Sequence, residues 1–124
     1  MSNQDLGKRG EETAVSLLKD NGYKILIRNY KTKLGEIDII AKDKDVFCFV
    51  EVKSRDSLGC GLGKEAVTVK KQRQISKSAL LFLKENNLLD KKARFDVVSI
   101  SNPDLDPESE LIKNAFELDE KYAY

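Results

Sequence analysis

Apolar and polar positions alternate along this chain in blocks of two rhythms, one helical and one of period two. Residues 4–21 carry Leu6, Ala14, Val15, Leu17 and Leu18 as an apolar stripe and stop at Gly22, which predicts a helix ended by a glycine at C′. Tyr23 to Tyr30 alternates as a strand, with Tyr23, Ile25 and Ile27 on one face and Leu26 on the other. Two more strands follow, 35–40 and 46–53, around a short polar turn. The later one is apolar on both faces (Val46, Cys48, Val50 and Val52 against Phe47 and Phe49), the mark of a covered central strand. Thr68 fits an N-cap for a helix from Val69 to about Asn86, with Gln72, Ile75, Ala79, Phe82 and Leu83 inward. Strands are expected at 94–100 and 111–116, a polar loop with Pro103 and Pro107 between them, and a short helix or frayed tail after Phe116. The order α-β-β-β-α-β-β predicts an α/β fold. Its mixed central sheet would have four to five strands and a helix on each face. The first three strands would form an antiparallel meander, and the second helix would cross over to strand four.

Acids sit at odd places in the central hairpin. If Lys44 and Asp45 form its turn, Asp43 faces Val46, and counting outward places Asp38 opposite Glu51 and Glu36 opposite Lys53. Opposed residues have Cβ atoms about 4.5–5.5 Å apart. Two carboxylates at that distance repel, so one is driven toward protonation unless a cation lies between them. Oxygen ligands suit a hard divalent ion such as Mg²⁺ or Mn²⁺. The plainer alternative is an edge salt bridge between Glu51 and Lys53 beside a solvated Asp38. Burying Asp, Glu and Lys together on a dry strand without a task is costly, which favours a site.

Composition narrows the chemistry. The 124 residues make one domain, 1–124. No histidine is present, which excludes Ser-His-Asp and Cys-His catalysis and His-ligated zinc. Cys48 and Cys60 form no C-x-x-C pair, and Cys48 reads as a small apolar filler of the strand. The N-terminal residues are charged throughout and no apolar run reaches membrane length, so a cytoplasmic protein without membrane attachment is expected. The net charge of +1 hides a division: residues 104–124 hold seven acids and two bases, and the remainder is basic. A basic body suits a polyanionic partner as readily as it suits simple solubility. Lys70, Arg73, Lys77 and Lys84 form a basic stripe on the second helix, either a solvated face or a track for phosphates. Arg55 opens a glycine-rich stretch to Gly63 that borders the hairpin's acids, a connector or a close approach for a phosphate backbone. Glu11 falls on the inward side of the first helix and Glu12 on the exposed side. Asp96 is a candidate supporting acid or a strand-end partner of Arg94.

The spacing D-x12-E-x-K, at Asp38, Glu51 and Lys53, resembles the core signature of the PD-(D/E)XK nucleases. The ordered blocks GKRGEETAVSLLKDNGYKIL, GEIDIIA, VFCFVEVKSR and RFDVV are more specific, and resemble the YraN-like family of Holliday-junction-resolvase-like endonucleases from about Gly7 to Phe116. Ile37 stands where the signature has proline, without chemical cost. The resemblance implies a restriction-endonuclease-like fold and Mg²⁺- or Mn²⁺-dependent cleavage of branched or duplex DNA to a 5′-phosphate and a 3′-hydroxyl. Asp38 and Glu51 would bind metal, with Glu11 joining them directly or through water. Lys53 would act on the attacking water or the phosphate, and a homodimer would suit a two-stranded junction. A nucleic-acid-binding or assembly protein that keeps the fold without cleaving is the rival reading.

Overall fold

The computed structural model describes residues 3–55, 67–101 and 108–116, with side chains beginning at residue 10 and ending at 54 in the first of these stretches. The glycine-rich loop, Cys60, the side chains of Leu6 and Arg55, the Pro103–Pro107 loop and the segment after Phe116 lie outside the described residues.

Helix α1 spans Asn3–Asp20. Gly22 N–H bonds to Lys19 O and Tyr23 N–H to Leu18 O, both at 3.0 Å, and Gly22 has φ +86°. This is a Schellman ending with its glycine where the pattern placed it, and Leu18 and Tyr23 pack together behind it. Strands β1 (Lys24–Thr32), β2 (Gly35–Asp43) and β3 (Val46–Arg55) form the antiparallel meander. Helix α2 (Val69–Glu85) leads to β4 (Ala93–Ser101), which lies parallel to β3, and β5 (Glu108–Phe116) closes the order β1-β2-β3-β4-β5. The five-stranded mixed sheet with its two helices has the restriction-endonuclease-like topology.

The alternation in β3 splits the core into two layers. Cys48 and Val50 join Ala14, Val15 and Leu18 under α1, whereas Phe47 and Phe49 join Ile75, Ala79, Phe82 and Leu83 under α2. Thr68 caps α2 by accepting from Lys71 N–H at 3.1 Å. In β1 the expected face does not persist. The register shifts between Ile25 and Ile27, so Ile25 packs under α1 and Ile27 under α2. A one-residue bulge reverses every side chain beyond it.

Asp96 is a structural acid. It is fully buried on the α1 side. Its Oδ1 accepts from Arg94 Nε and Asn114 N–H, both at 2.9 Å, and its Oδ2 from Tyr23 OH at 2.7 Å and Arg94 Nη2 at 3.0 Å. Arg94 also holds Asp43 at 3.0 Å, and that contact keeps the Asp43 carboxyl below its ordinary range. Burial first, and then the bond to Asp96, pushes the Tyr23 phenol well up. Asp96→Ala should therefore destabilise the protein by about 3–5 kcal/mol, the cost of leaving one half of a buried pair behind. Urea unfolding would measure it, and a loss below about 1 kcal/mol would reduce the network to a surface contact.

Candidate active site

The hairpin register holds from Asp43 opposite Val46 to Ile39 opposite Val50. It stops one pair short of Asp38 and Glu51. Ile37 packs under α2 and Ile39 under α1, so the two-residue period breaks at Asp38. On the other side of β2, the pairs Arg28–Ile39 and Tyr30–Ile37 leave Asn29, with φ +54°, beside the same break. The Asp38 side chain fills the interrupted ladder, since its Oδ2 accepts the Val52 N–H at 2.8 Å. Asp38 is thus fixed next to β3 by a backbone donor rather than by strand pairing.

Glu51 follows Phe49 on the α2 side and is only 4% exposed. Lys53 Nζ lies 3.5 Å from its Oε1, and Lys71 Nζ, reaching down from α2, lies 3.8 Å from the same atom. Its Oε2 is buried with no hydrogen-bond partner among the described residues. Burial first, and then the Asp38 charge, push the Glu51 carboxyl up from 4.5 to about 7, against the pull of Lys71 and Lys53. Such a pair of carboxyls holds either a proton or a cation between its oxygens. Glu51, Asp38 and Lys53 therefore meet at the open end of the hairpin, where the counting placed them.

Glu11 is elsewhere. Its Oε1 accepts from Arg28 Nε at 3.3 Å and Asn29 Nδ2 at 3.0 Å, while Glu12 takes Arg28 Nη2 at 2.7 Å. Glu11 is the more buried of the two, with 18% of its side chain exposed against 57% for Glu12. It is directed to β1, because α1 covers the sheet face opposite to Glu51. Among the described residues no three acidic, cysteine or histidine side chains gather as a metal-holding group. The carboxylates in place are the pair Asp38 and Glu51.

Lys71 is absent from the sequence expectations, whose basic stripe on this helix comprises Lys70, Arg73, Lys77 and Lys84. A signal was present, because Lys71 precedes Ile75, Ala79 and Phe82 by four, eight and eleven residues and so lies on the inner stripe of α2. Lys70, Arg73 and Lys77 are exposed on the same helix. Asp96 lies under α1 and takes no part in the site.

The sequence of the chain matches the uncharacterised protein family UPF0102 over residues 10–100. It is similar to a UPF0102 protein of Geotalea uraniireducens (strain Rf4), 52% identical over 117 residues that cover 94% of this chain and 92% of the relative. UPF0102 proteins of Acetivibrio thermocellus, 48% identical over 89% of each chain, and Persephonella marina, 44% identical over 91% of this chain and 94% of its own, are similar over the same extent. The chain belongs to the uncharacterised protein family UPF0102, a group related to the YraN-like PD-(D/E)XK proteins.

Proposed function

We propose that this protein is a metal-dependent phosphodiesterase acting on DNA, branched or duplex, in the cytoplasm. The observation that carries the reading is the buried Oε2 of Glu51, without a hydrogen-bond partner among the described residues, beside the Asp38 carboxylate. A carboxylate oxygen withdrawn from water with no donor is costly unless something positive occupies its front. Two adjacent hard oxygen donors fit Mg²⁺ or Mn²⁺. When bound, such an ion supplies Lewis acidity and positive charge for phosphodiester hydrolysis.

The chain's own groups do the rest. Asp38 and Glu51 would hold the ion, and the Val52 N–H fixes the Asp38 carboxylate next to β3. Lys53, about one third exposed, stands beside Glu51 with protons to give to a phosphate oxygen. Lys70, Arg73 and Lys77 on α2, with Arg55 beyond Lys53 on β3, provide a basic approach for the strand. Glu11, engaged by Arg28 and Asn29 under α1, is not among the groups that would hold the ion. The set of two carboxylates rather than three among the described residues favours one rival, a nucleic-acid-binding protein that keeps the fold without cleavage.

Calorimetric titration with Mn²⁺ separates these readings. The wild type should bind the ion, more tightly at pH 8 than at pH 6 because Glu51 must first lose its proton. Glu51→Gln should bind at least about tenfold more weakly, as expected for losing a ligand. Equal heats from both proteins would remove the metal site.

A further inference from the structure

The first turn of α2 carries no acid, and its Lys71 backbone is held by the Thr68 cap. From this turn the Lys71 side chain reaches Glu51 Oε1, the oxygen that Lys53 also approaches from β3. Two ammonium groups thus converge on one buried oxygen while the other oxygen has no hydrogen-bond partner among the described residues. Lysines repel each other, and they share a place only where negative charge exceeds what one of them neutralises. Asp38 supplies that excess. With both carboxyls ionised, Asp38 and Glu51 bring two negative charges, and Lys53 and Lys71 bring two positive ones. The chain itself then balances the site.

A divalent ion brings the same two positive charges. With it in place, both lysines would lose their claim on Glu51, and two positive charges would be left over. A phosphodiester takes up one of them, and the doubly charged phosphorane formed by hydroxide attack takes up both. Lys71 is 32% exposed along its side chain, so it is only partly enclosed while its Nζ rests against Glu51.

We propose that Lys71 is a movable cation: it stands at Glu51, yields that place to a divalent ion, and then binds the DNA phosphate beside Lys53. The proposal rests on the nuclease reading and adds a coupling to it. DNA that draws Lys71 away exposes Glu51 to the ion, and an ion that displaces Lys71 frees it for DNA, so each ligand tightens the other reciprocally.

Lys71→Met keeps the stem and removes the charge. In a Mn²⁺ titration of the full chain without DNA, Lys71→Met should bind the ion about 3–10-fold more tightly than wild type, the size expected for removing one nearby like charge. Lys71→Gln should do the same, and Lys71→Arg should stay near wild type. Duplex DNA binding should then be measured with and without Ca²⁺, used as a hard ion in place of Mn²⁺. The gain on adding the ion should be larger for wild type than for Lys71→Met. Unchanged or weaker Mn²⁺ binding by Lys71→Met and Lys71→Gln, or an equal gain in DNA binding, would overturn the proposal and leave the nuclease reading intact. A wild type that binds no Mn²⁺ would overturn both.

Discussion

Glu51→Gln should abolish metal-dependent cleavage, by at least about 10³-fold, and in the same protein raise stability at pH 8. The two effects share one cause. The Glu51 carboxyl is buried beside Asp38 and raised to about 7 from an ordinary 4.5. In the unfolded chain it loses its proton near 4.5, and in the folded chain only near 7. Between these values the folded state holds the extra proton, so stability falls as pH rises across that window. Above it the charged carboxylate remains as a standing cost. Glutamine is neutral throughout. Relative to wild type, the chelated variant should gain nothing at pH 4 and on the order of 3 kcal/mol at pH 8, the size of a shift from 4.5 to about 7 into which the pull of Lys53 and Lys71 already enters. Thermal unfolding across pH in the presence of a chelator would show the two curves diverging. Parallel curves would mean that Glu51 ionises freely and is no strained ligand.

The second large effect belongs to Lys53. Its Nζ lies 3.5 Å from Glu51, and two roles are open to it. As a counter-charge alone, its loss would leave the acids repelling, destabilise the fold, and be repaired by added divalent ion. As a donor to the phosphate, its loss would leave a folded protein that binds metal and DNA but cleaves about 10²–10³-fold more slowly, the size expected for one preorganised donor. Lys71 decides between them, because it stands 3.8 Å from the same oxygen and still neutralises Glu51 when Lys53 is gone. Lys53→Ala should therefore unfold within about 1 kcal/mol of wild type, as an exposed charge would, and fail in cleavage. Cleavage within a few-fold of wild type by the folded variant would end the donor role.

Much of the fold could be read because local rules and tertiary packing agreed. Gly22, Thr68 and the doubly apolar β3 each carry a signal contained in a few neighbouring residues, and all three are realised. The hairpin register could be counted outward from Lys44 and Asp45 as far as Ile39 and Val50. Beyond that point the count was correct about proximity but not about means. Asp38 is brought to Glu51 by a side-chain bond to Val52 N–H across a broken ladder, and no alternation in 35–40 announces a break. The face change at Ile27 has the same origin, since a bulge depends on both strands at once. Glu11 was read as inward, which is correct for its helix. Periodicity tells which side of a helix faces a sheet, but not which side of the sheet the helix will cover. Lys71 was hidden by its charge, because a lysine beside Lys70 and Arg73 looks like surface until its spacing from Ile75 and Ala79 is counted.

Cleavage itself is the most direct measurement. A panel of branched and linear DNAs should be incubated with the purified protein and Mg²⁺ or Mn²⁺, beside Glu51→Gln and a chelator control. The wild type should cut at least one member of the panel, only with the ion present, and Glu51→Gln should cut none. A folded wild type that binds the ion and DNA yet cuts nothing, or cutting that survives in Glu51→Gln, would contradict a nuclease site at Asp38 and Glu51.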